Sequence, residues 1–469
     1  MPVHIRRTSG SCSDHASTGP DSRLSLVDQA LFAGHRAAGI NLVIQCVWIY
    51  EHPVDFDGLT RFHRNLGYGM LGRRIEVSPL PFGRPRWVLD REPSDIDIAQ
   101  CARPRAEVGD WADECSQSPI DPERGPGWHL SALRLTDGST AVSLVHSHYL
   151  ADGLGLALTI TDAVLGNTRD LGYPPPHSRT RRRAVLQDAR QTAHDAPEVA
   201  RALLAAARLA RKQARVRRGR ARSPLPRPVA LGSGDPDDVL VVVPAVSIHV
   251  DSADWEARAQ ALGATGNTLV AGFAAKFAER LGRRCASDGA VTLHIPINVR
   301  TEGDTRANAM SIATVRVDPT RLTTDLRDIR TEIRRALTTL REAPDESLQL
   351  RALIPFMPTR ALKRMVDAGF TDPDVPTLCS NLGDFGPLVC RLDGTDGELV
   401  MTRSIGQRVT RRWLNQVGGQ MTLQCWRTGG TKIYITVNAY QPGAENTKPA
   451  LRELAARTLA EFDLTGKID

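Results

Sequence analysis

The residue types best suited to chemistry lie together in His146-Ser147-His148-Tyr149-Leu150-Ala151-Asp152-Gly153. An imidazole with its ordinary pKa of about 6.5 can, near neutrality, take a proton from a hydroxyl, amine or thiol and later return it. That work needs the ring held in one orientation. The aspartate four residues after His148, followed by a glycine that permits a tight turn, can hold the loop by pairing with a basic group elsewhere. Taken alone, the segment favours a hydrogen-bonded structural histidine. His146 faces the opposite way from Ser147 if the strand persists, and cannot replace it. His129 and His294 read as structural residues, and Trp128 as a core anchor.

The elements around this segment suit a site. The runs Trp128–Leu135 and Thr140–Val145 are separated by Thr136-Asp137-Gly138-Ser139, whose Asp-Gly is a hairpin signal. His148 thus falls at the end of a buried strand, just before an apolar helix spanning 154–165, where a rigid support positions a side chain that stays reachable. Order begins near Leu24, where a serine precedes a helical pattern, and continues into a strand at 41–50 and a helix from Asp57. The second half opens on the apolar run Val239–Val243. It then mixes a helix at 269–281, a strand at 291–297, a helix at 325–340, strands near 377–380, 420–426 and 432–437, and a last helix at 448–461.

This pattern predicts an α/β (α+β) protein in two similar lobes, since 469 residues exceed one ordinary core. The expected divisions are a flexible N-terminus at 1–21, an N-terminal lobe with the histidine segment at 22–172, a Pro- and Arg-rich connection at 173–230, and a C-terminal lobe at 231–469. The net charge of +7 comes from 60 basic and 53 acidic residues, and much of the excess sits between Arg179 and Arg227. That stretch is either a solvated helix face or a surface for phosphates, an acidic carrier protein or anionic lipid. Val199, Leu203, Leu204, Ala207 and Ala210 keep helical spacing there, so the segment can lie on the protein or on a membrane surface. Aromatics are 5% of the chain and do not interleave with the densest basic run, so no nucleic-acid partner is expected. The eight scattered cysteines signal neither a zinc site nor a disulfide framework. With no apolar leader and no spanning run, the expectation is a cytoplasmic protein, with peripheral membrane contact open.

Several segments carry a family resemblance. The chemistry-bearing segment resembles H-H-x-x-x-D-G, the signature of the CoA-dependent acyltransferase superfamily that includes condensation domains and the bacterial wax ester synthase/diacylglycerol acyltransferases. Pro126-Gly127-Trp128 looks like the P-L-W element of the latter group, and Gly263-Ala264-Thr265-Gly266-Asn267-Thr268 resembles its G-A-T-x-N-D. Pro296-Ile297-Asn298-Val299-Arg300 with Asn308 resembles its P-x-N-x-R and later asparagine, and Ser380-Asn381-Leu382-Gly383 its S-N-x-x-G. These matches occur in family order from about Leu24 to the end. The departures are Ser147 for the first motif histidine, Gly127 for leucine and Thr268 for aspartate.

The resemblance implies two chloramphenicol-acetyltransferase-like lobes with a tunnel between them. It makes His148 the general base and Asp152 a loop support, paired with Arg300. Ser147, Gly153, Asn267, Asn308, Ser380 and Asn381 become substrate-side positions, the asparagines and Ser380 being equally readable as caps or strand ends. The implied partners are an acyl thioester of CoA or a carrier protein and an alcohol or amine acceptor, with no bound cofactor or metal. A catalytically silent relative that binds a carrier protein or lipid is the alternative, favoured by Ser147 and Thr268.

Overall fold

The computed structural model describes residues 21–91, 93–219, 239–285, 288–342, 350–370 and 376–469. The lead-in before Asp21 and the end of the basic connection beyond Gly219 lie outside these ranges. The chain forms helix α1 (Leu26–Ala38), β1 (Asn41–Tyr50), α2 (Phe56–Leu66), β2 (Arg73–Glu76), β3 (Arg86–Leu89), β4 (Asp97–Ile98), α3 (Val108–Ser116), β5 (Trp128–Arg134), β6 (Thr140–Ser147), α4 (Gly153–Leu165) and α5 (Arg181–Gly219). It continues through β7 (Ala245–Asp251), α6 (Ser252–Ala261), α7 (Gly266–Arg280), β8 (Val291–Asn298), β9 (Met310–Val317) and α8 (Arg327–Glu342). Then come a helix at Thr359–Phe370, β10 (Thr377–Asp384), β11 (Glu398–Gln407), β12 (Gln420–Arg427), β13 (Lys432–Tyr440), the helix Lys448–Glu461 and β14 (Lys467–Ile468).

Two sheets result, one per lobe. The first runs β11-β1-β6-β5-β4 and the second β14-β7-β13-β12-β10-β8-β9, with β2-β3 a separate hairpin. β5 and β6 pair antiparallel about a turn in which Gly138 takes a positive φ of 88° and Asp137 accepts a hydrogen bond from the Ser139 amide. Strand β11 belongs by sequence to the second half, yet it pairs antiparallel with β1, Asn41 opposite Gln407. The lobes are therefore joined by a shared strand as well as by surface contact. The run Val239–Val243 makes only an isolated bridge, Leu240 to Thr410, and regular pairing begins after Pro244, which has no amide hydrogen to give a ladder.

Each sheet packs on helices. Val246, Ile248, Leu269, Phe273, Phe277, Val291 and Ile435 are among the buried residues of the second lobe. Trp48, Tyr50, Leu59, Phe62, Trp128, Leu144 and Leu156 lie in the first, where Trp426 and Tyr434 from the second half join them. Helix α4 starts on Asp152, whose side chain accepts from the Gly155 amide, and stops at Gly166 in the left-handed conformation. Strand β6, buried along its whole length, and this capped helix bracket the His148 loop.

Candidate active site

Every turn of the loop between β6 and α4 is tied to another part of the chain. The His148 amide donates to the Leu42 carbonyl at 2.9 Å, and the His148 carbonyl accepts from Asn308 Nδ2 at 3.2 Å. The Leu150 carbonyl accepts from Arg73 Nη2 at 2.8 Å, and the Asp152 amide donates to the Ala307 carbonyl at 2.8 Å. Ser147 is fully buried, and its hydroxyl accepts from the Tyr149 amide at 3.3 Å, so it shapes the turn.

Asp152 is the hub. One carboxylate oxygen accepts from the Gly155 amide at 2.7 Å; the other accepts from the Ala309 amide at 2.9 Å and from Arg300 Nη2 at 2.8 Å. Both side chains of this ion pair are nearly inaccessible, 6% exposed for Asp152 and 3% for Arg300. A buried pair holds only where the remaining donors and acceptors are satisfied. Here Arg300 also donates to the carbonyls of Asp304, Arg306 and Ala307. A Cβ on Gly155 would stand 2.8 Å from Met70 Cε and 3.2 Å from Arg300 Nη2, so the pair needs a glycine there. A Cβ on Gly153 would likewise meet Leu382 Cδ2 at 2.9 Å, which brings the end of β10 against the start of α4.

Two residues that the sequence did not single out complete this frame. Asp28, on α1 and 1% exposed, accepts from the amides of Ala307 and Asn308 and from Asn308 Nδ2, at 3.2, 2.8 and 3.1 Å. Asn308 thus links Asp28 to the carbonyl of His148, and both hydrogens of its amide group are engaged within the protein. Arg73, fully buried over the Trp87 ring, joins Leu150, Tyr173 and Thr305. The only sequence signal for Asp28 is its place three residues after Ser25, the helix cap. Arg73 gave no signal.

The electrostatics favour a neutral imidazole. His148 is partly exposed as a residue while its Nδ1 is buried without a well-formed hydrogen bond. Burial pushes its pKa below the usual histidine value, against the opposing pull of its own carbonyl, Asp152, Asn308 and Asp28. Burial and the neighbouring His148 push His146 down to about 3 and His35 to about 4. Two cavities lie near this frame, and His148 lines neither. One of about 550 Å³ is lined in part by Tyr149, Phe32, Ile40 and Arg36, and another of about 340 Å³ by Arg300, Met70 and Thr159.

The other expected positions are placed differently. Asn267 and Asn381 hydrogen-bond to each other at 2.9 Å at an exposed groove, and Asn381 also accepts from the Gly383 amide. Thr268 is buried, its hydroxyl 3.2 Å from that of Thr265, the cap of α7. Ser380 is 8% exposed on β10, near Leu382. Trp128 donates from Nε1 to the Leu71 carbonyl and packs against His63. A Cβ on Gly127 would fall 2.6 Å from Leu150 Cδ1, which explains the glycine before that tryptophan.

The architecture is the two-lobed condensation-domain fold, each lobe chloramphenicol-acetyltransferase-like. Among solved structures the chain is similar to the first condensation domain of the CDA synthetase, at 14% identity and a TM-score of 0.55 over 96% of this chain and 100% of that one. It is also similar to the condensation domain of the Monacolin K polyketide synthase MokA, at 14% and 0.54 over 94% and 96%. Polyketide synthase associated protein 5 from Mycobacterium tuberculosis matches at 15% and 0.53 over 94% and 98%. No protein-family model and no curated protein matches the chain. At these identities the similarity establishes the fold.

Proposed function

We propose that the protein is an acyltransferase that moves an acyl group from a CoA or carrier-protein thioester to a hydroxyl or amine acceptor, with His148 as general base. The observation that carries this reading is the placement of a partly exposed imidazole on a loop whose backbone is held from both lobes through Leu42, Arg73, Ala307 and Asn308. In the reaction, the ring takes the proton of the acceptor O–H or N–H as the acceptor attacks the thioester carbonyl. The tetrahedral intermediate then collapses, breaking the C–S bond, and the thiolate leaves with the proton that His148 held. A thioester is activated enough for base catalysis alone to serve. Asp152 and Arg300 fix the loop, Asn308 holds the His148 carbonyl, and Ser147 shapes the turn. Gly153 lets β10 close on the site, which brings Ser380 and Leu382 toward it, while Asn267 and Asn381 stay paired with each other at a separate groove. Trp128 anchors β5 beneath it. We read the protein as acting in the cytoplasm on such thioesters.

The test is mass spectrometry of products from a mixed panel of acyl-CoA and acyl-carrier donors with alcohol and amine acceptors. Transfer by the wild type and its loss in His148→Ala, with the fold intact by circular dichroism, is the expected result. Absence of any transfer or thioester hydrolysis, or unchanged turnover in the variant, overturns the catalytic reading in favour of a non-catalytic carrier- or lipid-binding protein.

A further inference from the structure

Helix α5 carries 11 basic and 3 acidic residues over its 39 positions. Its orientation on the N-terminal lobe is fixed by what it buries. Ala184 and Ala202 are 6% and 1% exposed and stand eighteen residues apart, which is five helical turns. Between them Asp188 pairs with Arg86 and Arg179, and Asp195 with Arg23 and Arg84. Two of the helix's three acids are thereby engaged on the inner side. The third, Glu198, is partly buried at a cleft with Phe82 and Phe356.

The outer face has its own repeat. Arg183, Leu186 and Arg190 stand at i, i+3 and i+7, and Arg201, Leu204 and Arg208 repeat that spacing eighteen residues later, again five turns on. All six side chains are exposed, and each leucine is 59% exposed. Arg211 extends the row by one turn. Among the described residues, none of these five arginines has an acidic partner within ion-pair distance, so the row is an uncompensated cationic stripe with a leucine inside each of its two repeats.

From this juxtaposition we infer that the outer face of α5 docks on an anionic lipid bilayer, the helix lying flat with arginines among the phosphates and Leu186 and Leu204 in the acyl boundary. Long arginine stems accommodate that geometry, because the apolar part of the side chain follows the leucines while the guanidinium reaches outward. Among the described residues no helix is long and apolar enough to cross a membrane, so the contact is with the surface. The interspersed leucines favour lipid over nucleic acid, which would reward the arginines alone.

The experiment is co-sedimentation of the full chain with vesicles of phosphatidylcholine alone or phosphatidylcholine mixed with phosphatidylglycerol, at two salt concentrations. Binding only to the mixed vesicles, weakened by salt, is expected. Replacing Arg190, Arg201 and Arg208 by alanine should weaken it about a hundredfold. Leu186→Asp with Leu204→Asp should also weaken it, with helicity and melting temperature retained in both. No sedimentation, equal binding to neutral vesicles, or binding untouched by the leucine changes overturns the inference. So does duplex DNA bound more tightly than the mixed vesicles. None of these readouts depends on turnover, so the result stands apart from the catalytic assignment.

Discussion

The two lobes hold themselves together in different ways. Around α7 the second lobe is filled by Leu269, Val270, Phe273, Ala274 and Phe277, all buried, against the apolar faces of β8 and β13. The first lobe buries Asp28, Arg73, His146 and Asp152 near the His148 loop, and Gln45 and Arg403 on the opposite, α3 face of its sheet. There Gln45 donates to the Ala112 carbonyl and accepts from Arg403 Nε, at 2.7 and 2.8 Å. Apolar burial is non-directional and tolerates small shifts. Buried polar networks are directional, and they fail when one member is removed. The chemistry-bearing loop sits in the second kind of environment, its backbone held by directional bonds from both lobes.

Four changes break or sharpen this contrast. The largest is His148→Ala, which should lower acyl transfer by about 100- to 10,000-fold, the usual worth of a positioned base, with little change in melting temperature. Arg300→Ala should cost about 3–5 kcal/mol in urea unfolding, because it strands the Asp152 carboxylate. Leu269→Ala in the second lobe should cost a comparable 2–5 kcal/mol. The lobes separate in the rescue: Asp152→Leu with Arg300→Met should recover much of the stability yet leave transfer impaired, since the loop loses its directional ties.

Acid offers the third comparison. An unfolded histidine binds a proton below about 6.5, whereas His146 stays neutral in the folded chain down to about 3. The unfolded state then binds more protons, so stability falls as pH drops from about 6.5 toward 3, by roughly 3 kcal/mol at pH 4 from this residue. His146→Gln should flatten that part of a pH–melting curve, and replacements in the apolar second-lobe core should leave its shape alone. The smallest effect is expected from Asp28→Asn, about 1–3 kcal/mol of stability. Asp28 also favours the charged form of His148, so the variant should move the His148 titration, followed by NMR, further down. A purely structural role would leave that titration in place. In the wild type the acid limb of the rate profile should already lie below the ordinary imidazole value of about 6.5.

Much of the local architecture was legible because it is written in nearest neighbours. The Asp-Gly turn marks the β5-β6 hairpin, and the alternation of apolar residues marks its strands. Asp152 before an apolar run marks the start of α4, and the helix at Lys448–Glu461 follows its pattern to the residue. The His148 segment stood out for the same reason, its groups being four residues apart. The apolar run at Val239–Val243 makes only an isolated bridge, because hydrophobicity alone does not supply a partner strand.

What only the tertiary structure decided depends on residues far apart in the chain. Asp28 meets Asn308 across 280 positions, and no local pattern distinguishes it from any other acid in a first helical turn. β11 was not singled out as a strand in the sequence, and its pairing with β1 places it in the first lobe's sheet. Asn267 and Asn381 had residue types suited to a site, yet they are turned toward each other across the second lobe. The sequence by itself determined many of the elements, such as the β5-β6 hairpin, α4 and the last helix, and which residue types could exchange a proton, since propensity, capping and spacing act within a few turns. Which carboxylates, amides and cavities surround His148 was decided by the folding of both lobes onto that loop, because hydrogen bonds and desolvation depend on distances that only the packed chain sets.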